Sequence, residues 1–147
     1  MRRKKNGDLG SDRANSSRSA QDADRRTASP DGSMTGLVVG IGASAGGLDA
    51  FKTFFTHMPP RSGMAFVLVQ HLDPHHKSLL VELLSKYTEM PVVHAEDGMA
   101  IAADHVFVIP PNATLTIKAG ILCVATPAPP RDQRKPIDTF LFSLAED

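Results

Sequence analysis

Entirely apolar segments, each followed by a segment with helical spacing, constrain the fold of this chain most. Residues 37–41 and 65–69 contain no polar side chain. Apolar runs without alternation are typical of parallel strands that are covered on both faces. After each run, apolar residues recur three and four positions apart, which predicts a helix. These helix positions are Leu48, Phe51, Phe54, Phe55 and Met58 after the first run, and Leu79, Leu80, Leu83, Leu84 and Tyr87 after the second.

The remaining pattern predicts further strands and one more helix. Short apolar runs at 91–94, 106–109, 113–117 and 120–124 are strand candidates, and the last two have the spacing of a hairpin. A final helix is predicted from Pro136. We therefore expect an α/β fold with three layers, built as a doubly wound and mostly parallel sheet. Because a helix in such a fold normally leads into another strand, we expect the sheet to be incomplete at the C-terminus of this chain.

Composition divides the chain into a polar tail and one domain. Residues 1–35 have one branched aliphatic residue and no aromatic residue, so they cannot bury enough apolar surface to fold and are predicted to form a disordered tail. The domain is then 36–147. Zero net charge argues against a dedicated nucleic-acid binder, and no stretch has the roughly 20 apolar residues that membrane insertion requires. The single cysteine, Cys123, excludes an intrachain disulfide and fits a cytoplasmic location.

A glycine-rich turn, "GIGASAG" at 40–46, follows the first apolar run and fits two motifs. Gly40-x-Gly42-x-x-Ala45 approaches the dinucleotide-binding fingerprint, and Gly42-x-Ser44-x-Gly46 matches the nucleophile elbow of serine hydrolases. A dinucleotide site also needs an acidic residue at the end of the second strand. That strand ends with Gln70 and His71 instead, so the dinucleotide interpretation lacks its second element.

The nucleophile interpretation uses the residues that follow the two strands. Ser44 and His71 each come directly after a predicted strand, and the carboxyl ends of parallel strands meet at one edge of the sheet. Imidazole could then activate the serine hydroxyl, and the backbone N–H groups of Ala45 and Gly46 could stabilise an oxyanion. A plain glycine turn, with His71 bonded to backbone, explains the same spacing. The residues by themselves leave both interpretations open.

Two further clusters have alternative interpretations. His71, His75 and His76 could bind a metal, but no cysteine lies near them and the last two fall in the first turn of a predicted helix, so no metal site is expected. Arg131, Arg134 and Lys135 form either a solvated loop or a basic rim for an acidic protein partner.

Five segments in this order and spacing resemble the catalytic domain of the CheB family, the chemotaxis protein-glutamate methylesterases. They are "IGASAGGLDAF", "VLVQHLDP", "HAEDG", "VFVIPP" and "KPIDTFLFSLAE", and the resemblance covers 37–147. The family hydrolyses glutamyl methyl esters on the cytoplasmic helices of methyl-accepting chemotaxis receptors and deamidates receptor glutamines. "QHLDPHHKSLL" is most similar to the variant fused to a CheR-type methyltransferase module.

The resemblance implies a Ser-His-Asp triad without a cofactor. By motif, Ser44 matches the nucleophile and His71 the base, while Ala45 stands where threonine is common in the family. The family's third triad member lies in a G-M-G-x-D-G segment that this chain does not contain, so the fragment is expected to be impaired. The tail is too short for the receiver domain of members that act in a phosphorelay. Two other functions stay open: a non-catalytic receptor- or scaffold-binding module of the same fold, and a nucleotide-binding domain.

Overall fold

A computed structural model of the chain describes residues 36–44, 46–70, 79–130 and 133–147. The predicted tail at 1–35 and the predicted start of the second helix at 71–78 lie outside the described residues. The elements, in chain order, are β1 (Val38–Ala43), α1 (Leu48–His57), β2 (Ala65–Gln70), α2 (Leu80–Leu84), β3 (Val92–His94), β4 (Met99–Ala100), β5 (Val106–Val108), β6 (Thr114–Lys118), β7 (Ile121–Ala125) and α3 (Pro136–Glu146).

Four strands form a parallel sheet in the order β1-β2-β5-β3. The strand β2 is central, and five of its six residues are buried. Its side chains alternate between two cores, as the pleat of a strand requires. Phe66 and Leu68 pack with the apolar faces of α1 and α2, whereas Val67 and Val69 pack with Phe140 of α3 on the other face of the sheet. This arrangement confirms the predicted three-layer α/β fold.

A second, antiparallel sheet covers part of the α3 side, in the order β4-β7-β6. The predicted hairpin is present as β6 and β7. Ala119 and Gly120 connect its strands with φ values of 51° and 69°, which is the positive-φ pair of a two-residue type I′ turn. The sequence did not predict β4 or a separate sheet, because a strand of two residues leaves no periodic pattern.

The helix α3 lies against both sheets, in contact with β1, β2 and β6. Its Ser143 connects it to the small sheet: the hydroxyl oxygen accepts the N–H of Ile117 at 3.1 Å and donates to the Phe140 carbonyl at 2.8 Å. Among the described residues, no helix is long and apolar enough to cross a membrane. The position of α3 brings its first turn to the edge of the sheet where β1 and β2 end.

Candidate active site

The strands β1 and β2 end side by side. They pair in parallel register, with Gly42 opposite Val69 and Ala43 opposite Gln70. Ser44 is therefore the first residue beyond β1 and lies beside the end of β2. In the sequence, His71 is the residue that follows β2. His71 and Ala45 themselves lie outside the described residues, as do His75 and His76.

Ser44 lies in a tight turn that leads directly into α1. The Gly47 N–H donates to the Ser44 carbonyl at 2.9 Å, and Gly47 is the N-cap of the helix. The side-chain amide of Gln70 approaches the same carbonyl at 3.4 Å, which connects the end of β2 to the turn. Ser44 is exposed, so its hydroxyl is accessible at the start of a helix, as a nucleophile elbow requires.

The glycines of the turn have packing roles. A β-carbon on Gly42 would lie 2.5 Å from Ile137 Cγ2, and one on Gly40 would lie 3.0 Å from side-chain atoms of Leu141 and Phe140. Both glycines therefore permit α3 to approach β1. No phosphate is needed to explain them, which weakens the dinucleotide interpretation further.

Gly46 differs from these glycines because a β-carbon there would meet no atom of the described residues within 4 Å. Gly46 is exposed and lies two positions after Ser44. No side chain of the described segments fills the space beside it. A substrate could therefore approach the backbone of the turn at this point.

The charges nearest to the turn along α1 neutralise each other. Asp49, in the first turn of α1, pairs with Lys52 at 3.0 Å. The hydrogen bond from Lys52 to Asp49 raises the pKa of the Lys52 amino group above its ordinary value. The Asp49 carboxylate is therefore paired with a cation, close to a turn that is predicted to stabilise an oxyanion.

Two carboxylates that could be considered for the third triad position have structural partners away from this edge. Asp104 accepts the Gly63 N–H at 2.7 Å, at the amino ends of β2 and β5, which is the opposite edge of the sheet. Asp97 accepts the Val124 N–H of β7 at 2.9 Å. Asp97 follows β3, which β2 and β5 separate from β1. These contacts argue against either residue as the third triad member. Asp73 lies outside the described residues.

A cavity of about 250 Å³ opens beyond the carboxyl ends of β2 and β5. Gln70, the loop after β5 and the first turn of α3 line it. Arg134 is half-buried in its wall: its Nε donates to the Pro129 carbonyl, and its Nη2 donates to Asn112 Oδ1 at 2.8 Å. The sequence analysis missed this cavity. Two local signals were present: Arg134 and Lys135, which the sequence analysis weighed as a basic rim, and Asn112 after two prolines, a residue that tolerates its positive φ of 54°.

No group of three or more His, Cys, Asp or Glu side chains suited to a metal ion occurs in the described segments. The histidine cluster that the sequence analysis considered, His71, His75 and His76, lies outside the described residues.

Known proteins are similar to this chain in sequence and in architecture. The chain is 35% identical over 111 residues to protein-glutamate methylesterase/protein-glutamine glutaminase 2 of Xanthomonas oryzae pv. oryzae strain MAFF 311018, an alignment that covers 74% of this chain and 31% of the relative. It is 30% identical over 108 residues to the protein-glutamate methylesterase/protein-glutamine glutaminase of Hydrogenovibrio crunogenus, covering 71% of this chain and 28% of that protein. The chain thus spans about a third of the length of these curated relatives.

A solved structure and a family profile agree with these matches. The crystal structure of the Thermotoga maritima CheB methylesterase catalytic domain superposes with a TM-score of 0.65 at 26% identity, covering 77% of this chain and 62% of that one. The profile described as CheB methylesterase matches residues 39–147, which include the Ser44 turn, β2 and α3. The chain therefore belongs to the CheB methylesterase family.

Proposed function

We propose that the chain acts as a protein-glutamate methylesterase, which hydrolyses glutamyl methyl esters on the cytoplasmic helices of methyl-accepting chemotaxis receptors. Deamidation of receptor glutamines would use the same chemistry. The observation that carries this proposal is the exposed Ser44 on a strand-to-helix turn, in register with the end of the strand that precedes His71. The proposed location is the cytoplasm, where these receptor helices are found.

In the proposed reaction, Ser44 Oγ attacks the ester carbonyl while the imidazole of His71 takes its proton. The resulting oxyanion accepts hydrogen bonds from the backbone N–H groups of Ala45 and Gly46. Collapse of this intermediate expels methoxide, which leaves as methanol after His71 returns the proton. Water, activated by the same imidazole, then hydrolyses the acyl-enzyme and releases the glutamate carboxylate.

The chain as given is proposed to turn over slowly, because none of its residues matches the segment that carries the third triad member. That carboxylate fixes the tautomer of the histidine and stabilises the imidazolium. Disabling it in other triad enzymes lowers turnover by about 10⁴. The proposed catalytic machinery within this chain is thus a Ser-His pair with a backbone oxyanion site.

Covalent labelling tests the nucleophile directly. A serine-directed fluorophosphonate should label the 147-residue protein, and Ser44→Ala should remove the label. Ser85→Ala is a matched control, because Ser85 is another exposed serine beside a helix end. Absence of labelling, together with binding of receptor helices, would replace the proposal by the non-catalytic receptor-binding module. A label that persists in Ser44→Ala would assign the nucleophile to another residue.

A further inference from the structure

The charged side chains that line the cavity near the Ser44 turn are all basic among the described residues. Arg134 and Lys135 both line it, together with the polar side chains of Gln70, Asn112 and Thr139. None of the described lining residues is acidic. Asp138, in the first turn of α3, is exposed and is not part of the lining. Among the described residues, the cavity therefore presents two cations without an anion in its wall.

The Arg134 guanidinium is held in place by the fold. Its two hydrogen bonds go to neutral acceptors, the Pro129 carbonyl and the Asn112 side chain, so neither bond neutralises its charge. Asn112 is fixed in turn, because its carbonyl accepts the Ala128 N–H at 2.7 Å. A guanidinium has five N–H donors, so about three have no acceptor in the described part of the chain. A held, half-buried guanidinium with unused donors is well suited to bind a carboxylate.

Gln70 connects this cavity to the nucleophile. Its side chain lines the cavity, and its amide nitrogen approaches the carbonyl of Ser44 at 3.4 Å. A substrate whose ester carbonyl reaches Ser44 Oγ would therefore have its neighbouring side chains close to the cavity. On a helical substrate, residues three and four positions from the ester lie on the same face.

We propose that this cavity binds an acidic side chain of the substrate protein, on the same helix face as the ester, through Arg134 with Lys135 in support. The proposal rests on the proposed esterase function and specifies its substrate class: glutamyl esters with Glu or Asp three or four residues away. Arg134 acts in substrate selection and takes no part in bond breaking.

Two matched peptides test the proposal. Each is a helical peptide with one glutamyl methyl ester, and the positions three and four residues from the ester on both sides are Glu in one peptide and Gln in the other. Methanol release gives KM and kcat. The full 147-residue chain should show a KM about tenfold lower for the Glu-flanked peptide, which corresponds to about 1.4 kcal/mol. Arg134→Met should bring the two KM values together.

Three variants separate charge recognition from damage to the loop. Lys135→Met removes the second cation of the cavity and should reduce the preference in part. The Lys135 side chain makes no hydrogen bond within the described residues, so this variant breaks none there. Arg134→Lys keeps the charge without the planar fork and should retain a fraction of the preference. Arg61→Met is the matched control, because Arg61 is exposed at the amino end of β2, the opposite edge of the sheet. It should leave the preference intact.

A binding arm keeps the test independent of hydrolysis. Fluorescence anisotropy of both ester peptides with Ser44→Ala should show the same preference, even if the wild-type chain releases no methanol and the esterase proposal fails. Equal Kd values for the two peptides would overturn the cavity proposal. So would an equal loss of preference in Arg61→Met and Arg134→Met. A product peptide with Glu in place of the ester and Gln flanks is a further check: Arg134-dependent binding of it would assign the cavity to the product carboxylate instead.

Discussion

Gly42 of β1 and Ile137 of α3 approach so closely that a β-carbon on the glycine would lie 2.5 Å from Ile137 Cγ2. The contact joins the strand that leads to Ser44 with the first turn of the helix that begins at the cavity. The glycine of the nucleophile motif is exposed, and its lack of a side chain lets α3 pack close to β1.

Gly42→Ala should lower the free energy of unfolding by about 1–3 kcal/mol, the usual cost of overpacking a close contact. Urea unfolding followed by circular dichroism measures the change. Gly46→Ala is the matched control, because its added β-carbon would meet no atom within 4 Å in the part of the chain that the structure describes. Similar losses in the two variants would contradict the steric explanation.

The double variant Gly42→Ala/Ile137→Ala isolates the contact itself. Removing the Ile137 branches opens the space that the new methyl group needs, so the double variant should be more stable than the sum of the two single losses predicts, by about 0.5–3 kcal/mol. Strict additivity would show that Gly42 is required for a reason other than Ile137.

Ser44→Ala should lower ester hydrolysis by this chain on the order of 10²-fold, a smaller loss than in a complete triad. Triad members act as a unit, so a site that is proposed to lack its carboxylate has less left to lose when the serine is removed. Methanol release from a glutamyl-ester peptide, measured alongside Ser85→Ala, checks the prediction. A rate unchanged by Ser44→Ala would rule out this nucleophile.

His71→Gln should match the loss of Ser44→Ala, because the two residues are proposed to act in one proton transfer. His75→Gln and His76→Gln should keep the rate near that of the unsubstituted chain. The same methanol assay, with and without added zinc, measures all three variants. Equal losses in the three, reversed by zinc, would favour the metal site over the base.

Asp104→Ala should destabilise the domain by about 1–3 kcal/mol, because it leaves the Gly63 N–H without its acceptor and places alanine at a φ of 59°. Asp104→Asn keeps a side-chain oxygen and tolerates that φ, so it should cost less. Thermal unfolding of both variants tests the assignment of Asp104 to structure. A loss of hydrolysis with unchanged melting temperature would instead indicate that Asp104 acts in the active site.

Features encoded by neighbouring residues were predictable from the sequence. The apolar runs that became β1 and β2, the glycine turn at Ser44 and the hairpin of β6 and β7 are all set by local spacing and turn residues. The exposure of Ser44 also agrees with the motif prediction. In each case the deciding interactions join residues only a few positions apart.

Features that depend on distant contacts were not predictable. Asn112 and Arg134 are 22 positions apart and meet only because the chain before α3 folds back beside the end of β5, so their contact and the cavity were not predicted, although Arg134 and Lys135 were weighed as a basic rim. The Gly42 contact with Ile137 spans an even longer separation. The pairing of β4 with β7 was also missed, because a strand of two residues is too short to show an alternating pattern.

The central position of β2 affects which motions can reach the site. Its amides are hydrogen-bonded between β1 and β5, and its first five residues are at most 1% exposed. Such amides exchange with solvent deuterium only when the whole domain unfolds, whereas β1, paired on one side within the described residues, can open in a smaller fluctuation. The strand before Ser44 can therefore open while the strand before His71 stays paired. Hydrogen exchange should report two separate opening free energies, a smaller one for β1 and a larger one for β2.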